Sequence, residues 1–341
     1  MPLFSGRPVY ILGTGMYVPE RIMTNQELEK MVETTNEWII ERTGIHTRHI
    51  AAPGELTSDL AFAAGVRAME SAGVKPETLD MVIVGTNSPD TVFPGVAAKV
   101  QGVLAANQSG ASDIQSGCTG CVYALAMASA GIAAGLWDNV LVVGAEVLSS
   151  LIDWQDRNTC VLFGDGAGAV VLSSNGAGAL ARVLASDLRS DGTKHDLICF
   201  PGGLVQNPAS EKTLEENLHK VQMKGNEVFK FVNQALPGFL HESCERAGIN
   251  ASDIDWWIFH QANLRIIDSV LRRLGVEPAR AIVNLEKYGN TSAASVFLAL
   301  HEAVADGRLR PSQKVLITSF GAGMTYGDII LEMQGEGHVQ G

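Results

Sequence analysis

The chain has 341 residues, 46% of them hydrophobic and 18% charged; that is length for two domains or one large double unit, and too apolar for a disordered or collagen-like chain. Twenty-five lysines and arginines against 37 acidic residues leave a net charge of −12, which argues against general binding to nucleic acid or anionic membrane, since both need a positive contact face. The five cysteines are an odd number in a long chain, so no disulfide framework is implied and a reducing, cytoplasmic setting is expected.

In chain order, residues 1–7 lack the charged-then-apolar layout of a signal peptide. A helix is expected to end at Ala72-Gly73-Val74, with the glycine as C-cap, and residues 81–84 read as a buried strand. Residues 114–137 carry no charge over 24 positions. They are rich in Ala, Gly, Ser and Thr rather than in bulky aliphatics, so they read as a helix buried on all sides and not as a membrane span. Residues 140–143 form a second buried strand, and residues 173–178 a turn. The pattern then starts again. Ala247-Gly248-Ile249, Ile254-Asp255 and Trp256-Trp257-Ile258-Phe259 repeat Ala72-Gly73-Val74, Leu79-Asp80 and Met81-Val82-Ile83-Val84 at a constant offset of 175. Val315-Leu316-Ile317-Thr318 follows Val140-Leu141-Val142-Val143 at the same offset. Such near-continuous apolar strands call for a sheet covered by helices on both faces. The chain therefore divides into two similar α/β halves, 1–175 and 176–341. Residues 201–218 read as a polar excursion loop and residues 335–341 as a frayed tail.

Cys118 stands in Gln115-Ser116-Gly117-Cys118-Thr119-Gly120-Cys121, ahead of the charge-free helix. The positive end of a helix dipole and unpaired N–H groups favour a thiolate there, and the thiolate is the nucleophile. The plainer alternative is a small buried hydrophobe. Cys118 and Cys121 also form C-x-x-C, a redox pair or half a metal site, but Cys160, Cys199 and Cys244 are isolated and no second such motif exists, so no metal is expected. His260, in His260-Gln261-Ala262-Asn263-Leu264-Arg265, follows the strand 256–259. The carboxyl end of a buried strand is where α/β folds present ligand groups; a satisfied core histidine is the alternative. Asn290, in Tyr288-Gly289-Asn290-Thr291-Ser292, is either the N-cap of the next helix or a neutral donor aimed into a site. Gly13-Thr14-Gly15 and Gly164-Asp165-Gly166-Ala167-Gly168 lack the third glycine or the lysine of nucleotide-binding loops. Phe320-Gly321-Ala322-Gly323 offers N–H groups for an oxyanion, or merely a tight turn.

Together, Cys118 in Cys-Thr-Gly, His260 in His-Gln-Ala-Asn, Asn290 in Gly-Asn-Thr-Ser-Ala-Ala-Ser and the terminal Phe-Gly-Ala-Gly resemble the beta-ketoacyl-[acyl-carrier-protein] synthase III family of the thiolase superfamily, from Val9 to Leu331. The resemblance implies a duplicated thiolase-like α/β fold in five α-β-α-β-α layers. It implies initiation of type II fatty acid synthesis, with acyl-CoA and malonyl-acyl-carrier-protein as partners and no cofactor. Cys118 would take the acyl group, His260 and Asn290 would hold the enolate oxygen, and the N–H groups of Cys118 and Ala322 the tetrahedral oxyanion. Trp38, Arg42, Arg157, Gly225 and Asn263 resemble CoA-binding positions. Phe93, Cys121 and Phe163 resemble the acyl pocket, with Phe93 reaching across a homodimer and favouring a short primer such as acetyl. Lys230, Arg265, Arg272 and Arg273 supply the basic face an acidic carrier protein needs. Two departures stand out: Cys121 where the family usually has Phe, and Ala322 in place of a middle glycine. Asn290 replaces the second histidine of the elongating synthases, and the terminal glycine motif lacks the second cysteine of thiolases. A related condensing enzyme of a secondary pathway is the second reading, and a C-x-x-C redox protein the third.

Overall fold

The computed structural model describes residues 6–335; the first five residues, and the expected tail beyond Gly335, lie outside the described residues. Ten strands form the main sheet: β1 (Tyr10–Tyr17), β2 (Met81–Gly85), β3 (Gly110–Ile114), β4 (Asn139–Glu146), β5 (Gly166–Ser173), β6 (Ala181–Ser190), β7 (Trp256–Phe259), β8 (Ala281–Ile282), β9 (Lys314–Gly321) and β10 (Thr325–Met333). Their order is β8-β7-β9-β10-β6-β1-β5-β4-β2-β3. The last five strands, read from the far edge inward as β3-β2-β4-β5-β1, repeat the sequence β8-β7-β9-β10-β6 of the first five. Each half thus has the same internal order, and β4 and β9 begin and end 175 residues apart. The halves meet where β1 pairs β6 at only two positions, Tyr10–Arg182 and Ile11–Ala181.

Alternation along the strands builds the layers, because successive side chains point to opposite faces. Val140 and Val142 of β4 and Val315 and Ile317 of β9 pack into one central core, against Val122 and Leu125 of α4 (Gly120–Ala133) and Phe297 and Leu300 of α7 (Ser295–Ala305). The alternate residues face outward. Leu141 and Val143 meet Leu60 and Ala64 of α2 (Thr57–Ala72) and Val100 of α3 (Val96–Val103). Leu316 meets Leu236 and Leu240 of α5 (Gly225–Ala247) and Val270 of α6 (Leu264–Leu274). The result is helix, sheet, helix, sheet, helix. Both Ala-Gly turns end their helices in left-handed glycines, Gly73 at φ 63° and Gly248 at φ 69°.

The charge-free stretch is shorter as a helix than its composition predicts. Ile114 closes β3, residues 115–119 form a turn, and the helix runs Gly120–Ala133. Its place in the middle layer explains the small residues, since both of its sides face sheets. The 201–218 excursion contains one helical turn, Glu211–Glu215, and is flanked by paired two-residue strands, Ile198–Cys199 and Gln222–Met223. Among the described residues, no helix is long and apolar enough to cross a membrane.

Candidate active site

The turn between β3 and α4 presents Cys118. It is tied by N–H bonds from Thr119 to the Ser116 carbonyl and from Gly120 to the Gly117 carbonyl. The second half of the chain clamps this turn. Ser319 Oγ donates to the Cys118 carbonyl at 2.7 Å, and Thr325 Oγ1 donates to that of Ser116 at 2.8 Å. Two glycines let the backbones meet: a Cβ on Gly321 would lie 2.3 Å from the Cys118 nitrogen, and one on Gly117 2.3 Å from the Ala322 nitrogen. The backbone around Cys118 and the backbone around Ala322 are therefore packed directly against each other.

Cys118 is partly open to the cavity and sits at the entry to α4. Burial pushes the thiol up from 9.0 to about 12; the Ser292 hydroxyl pulls against this and Glu146 adds to it.

His260 follows β7, its backbone N–H bonded to the Thr318 carbonyl, and is 1% exposed. Desolvation lowers its pKa to about 3, so the ring is neutral. Ser295 Oγ accepts from the Gln261 N–H at 3.3 Å and lies 2.7 Å from His260 Nδ1. The neutral ring carries one proton, and where the serine hydroxyl donates to Nδ1 that proton is on Nε2. The Phe320 ring packs edge-on against the imidazole at 5.2 Å. Asn290 is held by N–H donation to the Leu162 carbonyl, and its own carbonyl accepts from Gly164. Its Oδ1 accepts from the Ser292 N–H at 2.8 Å. That bond fixes the amide flip and leaves Nδ2 as a free donor.

Cys118, His260, Asn290 and Ala322 line one cavity of about 1470 Å³. Its wall also includes Trp38, Arg42, Arg157, Phe163, Gly225, Asn263 and Arg265. Trp38 and Arg42 lie on α1 (Asn36–Thr43). The Arg157 guanidinium covers the Trp38 ring at 4.9 Å and Arg42 approaches it at 5.8 Å. Asn263 caps α6 through its Oδ1 and donates to the Arg42 carbonyl, tying α6 to α1.

Five expected residues lie outside the cavity wall. Cys121 does not line it: in the first turn of α4 its side chain points into the central core and is fully buried there, so the smaller residue does not enlarge this cavity. Phe93 is 84% exposed, beside the lining residue Val92. Lys230, Arg272 and Arg273 stand exposed on α5 and α6, with Arg265 of the same patch at the cavity. Among the described residues, no cluster of three His, Cys, Asp or Glu side chains could hold a metal.

Three polar residues around the sulfur carry no sequence signal. Ser292 Oγ donates to Cys118 Sγ at 3.3 Å. Asn87 Nδ2 reaches the Gly117 carbonyl and Ser292 Oγ, and the buried Glu146 carboxylate accepts from Asn87, Ser88 and Thr86. Ser292 sits inside the asparagine motif; the other two meet it only through the fold.

The chain matches two family descriptions: 3-Oxoacyl-[acyl-carrier-protein (ACP)] synthase III over residues 112–192, and the C terminal of the same synthase over residues 244–333. It is 48% identical to the beta-ketoacyl-[acyl-carrier-protein] synthase III of Symbiobacterium thermophilum, over 95% of this chain and 98% of that protein. The crystal structure of 3-oxoacyl-[acyl-carrier-protein] synthase III from Aquifex aeolicus superposes with a TM-score of 0.87 at 39% identity, covering 95% of this chain and 99% of that one. A priming beta-ketosynthase of the R1128 polyketide pathway superposes at 0.88 with 33% identity, covering 97% and 98%. With both halves matched, and the duplicated five-layer fold observed, the chain belongs to the beta-ketoacyl-[acyl-carrier-protein] synthase III family.

Proposed function

We propose that this protein transfers a short acyl group from acyl-CoA to Cys118 and condenses it with malonyl-acyl-carrier-protein, with loss of CO₂, to initiate fatty acid synthesis. The observation that carries the reading is the meeting of a cysteine, a neutral histidine and a free carboxamide donor in one cavity, which Ala322 also lines. The Cys118 thiol gives up its proton to solvent as its sulfur attacks the thioester carbonyl, and the N–H groups of Cys118 and Ala322 hold the oxyanion until the CoA thiolate leaves and takes a proton from solvent in turn. Malonyl thioester then loses CO₂. His260 Nε2–H and Asn290 Nδ2–H donate to the enolate oxygen, each such donor contributing roughly 3 kcal/mol. The enolate carbon attacks the acyl-cysteine and the thiolate departs. No metal or redox cofactor enters this sequence.

Trp38 and Arg157 would hold the CoA base; because the guanidinium already covers the ring, an entering base has to displace it. Arg42 suits a phosphate. Asn263 and Gly225 would line the channel, and Lys230, Arg265, Arg272 and Arg273 would steer the acidic carrier protein. Phe163 would bound the acyl group from within and Phe93 from a second copy in a homodimer. The high exposure of Phe93 supports a covering partner. Five free cysteines fit a reducing cytoplasm. A secondary-pathway role is the second reading, favoured by the likeness to the polyketide priming enzyme. Acyl transfer from a panel of acyl-CoAs, followed by malonyl-carrier-protein, tests both: short acyl groups on Cys118 and CO₂ release support the first, while acyl-enzyme that leaves malonyl-carrier-protein unconsumed contradicts it.

A further inference from the structure

We infer that Ser292 is a further catalytic residue, its hydroxyl donating to the Cys118 sulfur and steadying the negative charge that forms there, with Asn87 and Glu146 as its positioning residues. The inference rests on Cys118 being the nucleophile and deepens that assignment. Ser292 Oγ lies 3.3 Å from Sγ, and the residue is 3% exposed. Its backbone is at φ 48°, a left-handed conformation that disfavours a non-glycine residue. Strain of this kind persists only where the surroundings impose it, and it gathers at functional sites. Here the surroundings are explicit. The Ser292 N–H is fixed on Asn290 Oδ1 at 2.8 Å, and Asn87 Nδ2 donates to Ser292 Oγ at 3.3 Å. The hydroxyl donates to the sulfur from this position. Asn87 is itself held by Glu146, through Nδ2 to Oε1 at 2.7 Å and its backbone N–H to Oε2 at 3.0 Å, and it grips the Gly117 carbonyl at 2.9 Å.

The site needs such a donor. The ionisable groups around the sulfur are Glu146 at the end of β4, Cys121 in the first turn of α4 and His260 across the cavity. None brings positive charge, since His260 is held neutral and Glu146 works against a second anion. Burial drives the Cys118 thiol up, and the Ser292 hydrogen bond is the first influence opposing it. The serine keeps its proton throughout: it stabilises charge as Cys118 attacks, and again when the thiolate leaves the acyl group during condensation.

The test is alkylation of Cys118 by iodoacetamide across pH in the full-length protein, read by peptide mass, for wild type and Ser292→Gly. Glycine tolerates φ 48° and keeps the N–H, so only the hydroxyl is lost. The rate at pH 8 should fall about tenfold and the profile move to higher pH, as expected for a hydrogen bond to a charged group. Asn87→Ala should move it the same way by less. Should Ser292→Gly not fold, Ser292→Ala gives the same comparison and keeps the native Cβ at this backbone angle. A folded variant alkylated at the wild-type rate with an unmoved profile overturns the inference. No acyl-CoA is involved, so the condensing reading stands or falls separately, on whether acetyl-CoA acylates the wild type.

Discussion

His260 is 1% exposed, and the loss of solvation holds its pKa near 3 against an ordinary 6.5. A donor to an enolate must keep its proton on Nε2 without becoming a cation, and this burial provides that over the whole working range of pH. His260→Ala should lower condensation by about 10²–10³ in kcat while leaving acylation of Cys118 by acetyl-CoA close to wild type. In the unsubstituted enzyme, condensation should show no loss attributable to histidine protonation until pH falls toward 4. An acid limb near 6.5, or equal loss of both half-reactions, would contradict the role. At this scale the sequence exposed what lies in short motifs, namely Cys118, His260 and Asn290. It hid Asn87 and Glu146, which reach the sulfur only through hydrogen bonds between β2, β4 and the second half. It gave no sign that Cys121 is buried in the central core. Three residues after the nucleophile is near in sequence, but the turn of the helix sends that side chain into the core.

Among the elements, β6 and β10 carry a feature that no periodicity reveals. Asp187 and Asp328 face each other across this antiparallel pair, and the Asp187 N–H donates to Asp328 Oδ1 at 3.0 Å. Burial raises Asp328 from 3.8 to about 7, against the pull of Ser243, Arg246 and Arg189. The sign follows from proton binding. Between about pH 4 and pH 7 the folded state holds a proton that the unfolded state has released, so stability falls as pH rises through this window. Asp328→Asn keeps the Oδ1 acceptor and removes the charge. Its melting temperature should exceed wild type at pH 8 and match it at pH 4. A lower value at pH 8 would show that the carboxylate itself is needed. The strands and the Ala-Gly helix ends were readable from apolar runs and glycine positions because these reflect local geometry. The cross-strand pairing of two acids depends on register, which apolar patterning leaves open when both faces are buried.

Across the whole molecule, the offset of 175 foretold two copies of one unit, and the sheet repeats its strand order accordingly. The two-position seam between β1 and β6 was not foreseeable, since neither strand stands out from its neighbours in composition. The site depends on the meeting of the two halves, where Ser319 and Thr325 clamp the Cys118 turn. The first half supplies Cys118; the second supplies His260, Asn290 and Ala322. A second copy would complete the assembly over the Val92–Phe93 tip, which is 68% and 84% exposed. For the proposed homodimer, Phe93→Asp should shift sedimentation from dimer to monomer and weaken acyl transfer; a wild type that sediments as a monomer, or a variant that remains dimeric, would contradict the proposed interface. The most direct measurement is peptide mass after exposure of the intact protein to acetyl-CoA. The account predicts one acetyl group on the peptide at Cys118, absent in Cys118→Ser and present in Cys121→Ser. Acetyl retained in Cys118→Ser, or lost in Cys121→Ser, would contradict it.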